Sequence, residues 1–303
     1  MFVAVDIPQS TVACPAAAGV DTVSQDFDAG VRFGEIIAKD MIAVPIGPRQ
    51  KIGNHMTIET EDDVAALKRI GKIVSYVLQE MLDAAEPGMT TLELDSLGER
   101  LLERHGARSA PRLTYNFPGS TCISINEEAA HGIPGARVIR PGDVLNVDVS
   151  AELGGYFADT GGTKIVPPAN PQKTRLCHAT RTALEQAMKQ ARAGQPINGI
   201  GAAIQRTAKT YGFRIIENLG SHGVGRALHE APGHIPGYFD PMDRRILRDG
   251  MVITIEPFLS TKSRVVTETS DGWTLVGARG NLSAQYEHTM IITKGEPIVV
   301  TQH

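Results

Sequence analysis

The sequence predicts a mixed α/β fold of the α+β kind, with antiparallel strands backed by helices. Three observations carry that expectation. Apolar residues recur at helical spacing in segments opened by capping residues and closed by Gly or Pro. Between those segments lie apolar runs separated by glycine-rich turns, the pattern of hairpin-forming strands. Five residues able to ligate a metal, Asp148, Asp159, His222, Glu256 and Glu287, lie within or at the ends of those runs or between glycines. With 303 residues, 42% hydrophobic and 21% charged, the chain can bury one large core or two small ones.

Residues 1–55 show no sustained periodicity and carry Pro45, Gly47, Pro48 and Gly53. They read as a poorly ordered or peripheral extension with one short helix around 33–41. The character changes at residue 56, so that 1–55 and 56–303 form two units. Thr60 caps a helix with acids in its first turn, and Val64, Leu67, Ile70, Ile73, Val77 and Met81 give it an apolar stripe. Pro87 and Gly88 break it; a second helix opens at Thr90 and ends near His105 and Gly106. Strands follow at 122–126, 144–152 and 156–166. A long helix over about 171–192 and a shorter one over 200–211 come next, then strands around 215–219, 252–256 and 286–293. The polar stretches 261–264 and 267–272 read as loops.

The spacing of the first two acids is the most informative feature. If Leu153 and Gly154 form a two-residue hairpin loop, Glu152 pairs with Gly155 and Asp148 falls directly opposite Asp159. Directly opposed residues share a face, with Cβ atoms about 4.5–5.5 Å apart. Two carboxylates that close repel unless a proton or cation lies between them. Solvent-facing acids on an edge strand would explain the pair less well, because both sit among Val, Leu, Phe and Ala. His222 lies between glycines that let the backbone pass close to something bulky. Glu256 ends an apolar run before Pro257, and Glu287 lies in another strand-like run. Four carboxylates and one imidazole, with no thiolate, suit two hard or borderline divalent ions better than a structural zinc.

At these residues the chain resembles the type I methionine aminopeptidases. The resemblance rests on Cys122-Ile-Ser-Ile-Asn-Glu, His131-Gly-Ile-Pro, Asn146-Val-Asp-Val, Ser221-His-Gly-Val-Gly-Arg, His229-Glu-Ala-Pro, Thr254-Ile-Glu-Pro and Ser283-Ala-Gln-Tyr-Glu-His. It runs from about Met56 to the C-terminus and makes 56–303 the catalytic domain. It implies the pita-bread fold, two pseudo-symmetric halves enclosing a dinuclear metal site. One ion would be held by Asp148, Asp159 and Glu287, the other by Asp159, His222, Glu256 and Glu287. The ions would be drawn from Co, Mn, Fe, Zn and Ni. Only 34 positions separate His222 from Glu256, which leaves no room for the extra subdomain of the type II enzymes.

The reaction so implied is removal of an N-terminal methionine when the second residue is small. Hydroxide held by the metals attacks the first peptide bond, with Glu256 relaying its proton. His229 donates to the developing oxyanion, and His131 contacts the departing nitrogen. Phe117, Cys122 and Trp273 match pocket positions for the methionine side chain. Two departures bear on pocket shape: Leu228 precedes His229 where an aromatic is usual, and Thr114 stands where a tyrosine often does. His288 should face away from the metals, and His55, His105, His178, His234 and His303 match no functional motif. The implied partners are the N-terminal methionine of nascent polypeptides, with the ribosome as a further candidate, and the implied form is a cytoplasmic monomer.

The rest of the sequence bounds these readings. A net charge of −4 and a pI near 6.1, with no basic cluster, argue against a nucleic-acid partner. Three scattered cysteines, Cys14, Cys122 and Cys177, make no disulfide framework and suit a reducing compartment. No apolar run approaches the ~18 residues that would span a membrane. The segment at 11–18 faintly resembles a targeting signal, but the first basic residue is Arg32, and Asp6 and Pro8 interrupt the apolar stretch. A proline-specific aminopeptidase of the same fold would carry a larger N-terminal domain than 55 residues allow, and non-catalytic relatives have lost ligands that this chain keeps.

Overall fold

The computed structural model describes residues 58–302. The proposed extension 1–55 with its helix near 33–41, Met56, Cys14, His55 and His303 all lie outside the described residues. Five helices run α1 Glu61–Ala84, α2 Thr91–Arg104, α3 Ala110–Tyr115, α4 Pro171–Met188 and α5 Asn198–Tyr211. The strands of the first half are β1 Arg108–Ser109, β2 Cys122–Ile125, β3 Glu128–Ala130, β4 Val144–Leu153 and β5 Tyr156–Ile165. The second half begins with β6 Arg214–Ile215, β7 Gly220–Gly223, β8 Glu230–Pro236, β9 Val252–Ile255 and β10 Phe258–Ser260. It ends with β11 Thr267–Glu268, β12 Leu275–Val276, β13 Ser283–Gln285, β14 His288–Ile291 and β15 Ile298–Val299.

Local chemistry explains the helix ends. Thr60 accepts from the Asp63 backbone while Asp63 reaches back to Thr60, a full capping box for α1. Thr90 and Glu93 repeat the device on α2. Of the predicted stripe on α1, Leu67, Ile70, Val77 and Met81 are fully buried. Helix α4 stops at Met188, short of the expected 192, because the chain turns there and Ala193 N–H donates to Thr293.

Two cores result. Helices α1 and α2 cover Ile123, Ile125, Leu145, Val147 and Val149 on the β2–β4 sheet. Helices α4 and α5 cover Ile253, Ile255, Leu259, Ala284 and Met290 on the sheets of the second half. A smaller cluster of Leu67, Val224, Val252, Ile291 and Val300 joins α1 to the second half. The expected pair of helix-backed halves is therefore present, and every strand pair is antiparallel.

Several expectations are corrected. The β4–β5 hairpin turns on Gly154 and Gly155, not on Leu153 and Gly154, because both central residues carry positive φ, 62° and 84°. Such a turn strains any residue with a side chain, so the two glycines take it and Leu153 pairs with Tyr156. The register moves by two residues: Asp148 lies opposite Gly161, and Asp159 opposite Ser150. An even shift keeps both acids on one face, now as diagonal neighbours. The strand expected at 215–219 is only β6, and β7 starts at Gly220. The stretch from 267 contributes β11, so it is a hairpin with β12 rather than a plain loop.

Gly155→Val is expected to cost about 1–3 kcal/mol, since a β-branched residue is forced to positive φ. Urea denaturation of the variant and its parent measures it, and an unchanged midpoint would contradict the turn assignment.

Candidate metal centre

Both halves contribute to the five candidate ligands, three of them from strands. Asp148 and Asp159 come from β4 and β5, and His222 from β7. Glu256 and Glu287 do not lie within strands. The apolar run expected to hold Glu256 breaks after Ile255 and resumes at Phe258; the run expected to hold Glu287 breaks after Gln285 and resumes at His288. Ile255 pairs with His288, and Phe258 with Gln285. The two-residue gaps, Glu256-Pro257 and Tyr286-Glu287, thus face each other at one level, where the paired chains pass from one sheet to the next. Pro257 has no N–H to continue a ladder, which fixes the break.

At that joint, ligand atoms of Asp159, His222 and Glu287 lie within 4.8 Å of one another, all three residues buried. His222 Nε2 is 3.5 Å from Glu256 Oε1 and 3.9 Å from Asp159 Oδ2. Asp148 reaches the group through a carboxyl contact with Asp159. The His222 Nδ1–H donates to the Gly223 carbonyl at 2.9 Å, which leaves the Nε2 lone pair aimed at the carboxylates. Thr254 Oγ1 donates to Glu256 at 3.2 Å, and Gln285 Nε2 donates to Glu287 Oε2 at 3.0 Å. Gln285 is itself fixed by Asn146, whose Nδ2 donates to Gln285 Oε1 at 2.9 Å. A Cβ at Gly161 would fall 2.2 Å from that Gln285 oxygen, so only glycine leaves the amide its place.

The electrostatics fit a cation. Asp159 Oδ1 and Glu287 Oε1 are buried with no hydrogen-bond partner, and a buried, unpaired carboxylate oxygen is costly. Burial pushes the carboxyls of Asp148, Glu256 and Glu287 well above their usual range, and neighbouring carboxylates add repulsion in each case. Burial also raises Asp159. Burial lowers His222 to about 4, so its imidazole is neutral and able to ligate. Oxygen donors with one neutral imidazole suit a hard or borderline divalent ion.

The other residues singled out in the sequence are placed as follows. His131, at the end of β3, is held in the left-handed region at φ 54° and is exposed. His229, just before β8, is also exposed, yet its ring packs against that of His222 at 4.1 Å between centroids, tilted by 39°. Its loop is clamped from below by Arg226, whose guanidinium lies 3.7 Å over the Tyr156 ring and bonds Asp63 on α1 at 2.9 Å. Phe117 meets Trp273 edge to face at 5.2 Å, and Cys122 pairs across the strands with Asp148. The β11–β12 hairpin carries Trp273, and β12 pairs with β3, which carries the chain to His131. Leu228 is buried and Thr114 exposed. His288 bonds Thr301 at 2.9 Å. Cys122 and Cys177 are free.

Two residues of this region were not singled out by the sequence reading. Gln285 lies inside a quoted motif, but its amide role depends on Gly161. Tyr115 follows the Thr114 departure directly, and its hydroxyl lies 2.6 Å from His229 Nδ1.

Residues 65–294 match the metallopeptidase family M24. The chain belongs to that family. It is 44% identical over 248 residues to methionine aminopeptidase 2 of Bacillus subtilis, covering 82% of this chain and 100% of the relative. It is 47% identical over 248 residues to a methionine aminopeptidase of Staphylococcus epidermidis, covering 82% and 99%. The crystal structure of methionine aminopeptidase from Thermotoga maritima superposes with a TM-score of 0.77 at 33% identity, covering 82% and 100%. The fold is the expected pita-bread fold, and the buried cluster is where this metallopeptidase can hold a metal. Among the described residues no helix is long and apolar enough to cross a membrane.

The raised carboxyl pKa values carry a sign. An acid whose folded pKa exceeds its unfolded value lowers stability increasingly as pH rises above the ordinary carboxylate range. Metal-free Asp159→Asn should therefore melt at or above the metal-free parent, by a margin that widens towards neutral pH. Each kcal/mol of repulsion relieved adds about 2–4 °C. Bound divalent metal should fall in the same variant. A variant that melts lower at neutral pH, or that retains full metal content, contradicts the assignment.

Proposed function

We propose that the chain is a type I methionine aminopeptidase, a metal-dependent enzyme that removes N-terminal methionine from nascent chains when the second residue is small. The observation that carries this reading is the buried Asp159, His222 and Glu287 group with its unpartnered carboxylate oxygens. The similarity to methionine aminopeptidases over the length of the described fold supports the substrate. The type I assignment is supported by the short interval between His222 and Glu256, which β8 and its return loop fill.

Two divalent ions would be held, one by Asp148, Asp159 and Glu287 and the other by Asp159, His222, Glu256 and Glu287, with Co, Mn, Fe, Zn and Ni as candidates. Such ions supply a water of lowered pKa and a polarised scissile carbonyl. Glu256, held by Thr254, takes the proton of the attacking water and returns it to the leaving amine. His229, packed against His222, donates to the oxyanion. His131 contacts the peptide nitrogen. Phe117, Cys122 and Trp273 receive the methionine side chain, whose sulfur gains about 0.3–1.5 kcal/mol against aromatic rings. The chain acts as a cytoplasmic monomer on nascent polypeptides, with the ribosome as a candidate partner.

Cleavage of Met-Ala-Ser, Met-Lys-Ser and Ala-Pro-Ser peptides with each metal added to chelator-stripped protein tests the reading. Release of methionine from the first, much slower release from the second, none from the third and no activity with chelator are expected. Efficient Ala-Pro cleavage, or full activity without metal, would overturn it.

The catalytic unit is residues 56–303, and 1–55 are dispensable for it. A shortened chain beginning at Met56 should match the full chain in melting temperature within about 2 °C, corresponding to under 1 kcal/mol, and in Met-Ala-Ser turnover. A large loss in either would make the first 55 residues part of the catalytic unit.

A further inference from the structure

We propose that Tyr115 is a positioning residue that sets the tautomer of His229, so that the imidazole carries its hydrogen on Nε2. This rests on the aminopeptidase reading for its consequence, since that reading needs a donor at His229. The tautomer itself rests on geometry alone. The Tyr115 hydroxyl lies 2.6 Å from His229 Nδ1, within the range of a strong hydrogen bond. Among the described residues it has no other hydrogen-bond partner.

The hydroxyl has one proton and must either donate it to Nδ1 or accept from an Nδ1–H. Acceptance would send the phenolic proton out to solvent, since among the described residues no other acceptor bonds it. Donation satisfies both groups with one bond. A phenol, with an ordinary pKa of about 10, keeps its proton at neutral pH. With Nδ1 an acceptor, the neutral ring carries its hydrogen on Nε2. The opposite tautomer would turn a lone pair, useless to an oxyanion, towards the substrate.

The segment holding Tyr115 is pinned so that this bond is set by the fold. Ser109 caps the short helix α3 by accepting from Arg112 N–H, and donates its hydroxyl to the Ser120 carbonyl at 2.8 Å. Arg112 is paired with Glu99 on α2. Asp95 on α2 accepts from the backbone of Ser120 and Thr121. Asn116 then takes the left-handed conformation at φ 57°. This turn sends Phe117 to Trp273, while Tyr115 goes to His229, its ring 5.6 Å away and tilted by 48°. One pinned segment thus shapes the side-chain pocket and orients the oxyanion donor. Thr114 cannot supply this contact from the exposed side of the same segment, and the neighbouring tyrosine does so instead.

The test uses Tyr115→Phe, which keeps the ring and deletes the hydroxyl. The nitrogen-15 shifts of His229, assigned by their loss in His229→Asn, are measured in full-length protein, metal-free and loaded with diamagnetic zinc. The parent should show a protonated Nε2 and an unprotonated Nδ1, and Tyr115→Phe should show a mixture. Its kcat on Met-Ala-Ser should fall about tenfold, the effect of losing one orienting hydrogen bond, with KM within about twofold. A parent whose Nδ1 carries the proton overturns the proposal, as does a variant with unchanged shifts and unchanged kcat. A parent that cleaves no methionyl peptide overturns the aminopeptidase reading alone, and the shifts still decide the tautomer.

Discussion

Mutual repulsion among four carboxylates at the seam between the two halves is the constraint on which the rest of the structure depends. Asp148, Asp159, Glu256 and Glu287 converge where burial disfavours every ionised form, and each raises the cost of its neighbours. Among the described residues no protein cation enters this group to offset it; the nearby imidazole of His222 is neutral. Something must hold the acids in place, and a ladder of hydrogen bonds across the seam does so. Thr163 Oγ1 donates to the Gln285 carbonyl at 2.7 Å, Thr160 Oγ1 to that of Glu287 at 2.8 Å, and Glu287 N–H to that of Gly161 at 2.9 Å. Thr289 Oγ1 both accepts from Asp159 N–H and donates to Asp159 carbonyl oxygen. These bonds use backbone and hydroxyl groups, and Asp159 Oδ1 and Glu287 Oε1 are left without a partner, free for a cation.

The same ladder makes the site a property of the assembled halves. Asp148 and Asp159 belong to the first half, and His222, Glu256 and Glu287 to the second. Neither set alone has both the imidazole and the paired aspartates. A cation bound across the seam favours the docked arrangement over any state in which the halves separate, so its binding free energy adds to the stability of the whole. Asn146 extends this coupling. It sits on β4 in the first half and fixes Gln285 of the second, whose amide serves the glutamates. Glycine at 161 is the condition for that reach.

Much of this was legible before the coordinates. The cap at Thr60, the helix start at Thr90, the stripe on α1, the hairpin between Asp148 and Asp159 and the choice of five candidate ligands follow from residue type and spacing, because each is a local pattern. What was not legible depends on contacts between distant positions or on a choice among adjacent turns. The hairpin register differed by two residues because Leu153-Gly154 and Gly154-Gly155 are both plausible loops by spacing; only positive φ at two successive positions decides between them. The partnership of Tyr115 with His229 spans 114 positions, and no local pattern announces it. A comparison that stopped at Thr114 would have recorded a lost tyrosine, whereas the structure brings one in from the next residue.

The break in the two strands bearing Glu256 and Glu287 shows why the strand-like pattern was right about residue type and wrong about conformation. In a regular ladder, residues on one face repeat every second position, and a metal-facing glutamate would share its face with residues packed on the helices. Apolar runs on both sides of each break bury their other residues against α4 and α5. Interrupting both strands at one level separates the two demands. Pro257 and the Tyr286-Glu287 step let the backbone change sheets, so Glu256 and Glu287 turn to the seam while Ile255, Phe258, Ala284 and Met290 remain buried in the apolar cores. Tyr286 locks its side of the break by donating its hydroxyl to the Thr163 carbonyl at 2.7 Å, which ties the joint to β5 on the far side of the seam. The seam-facing glutamates thus owe their direction to a paired discontinuity, held by a proline on one strand and a buried tyrosine on the other.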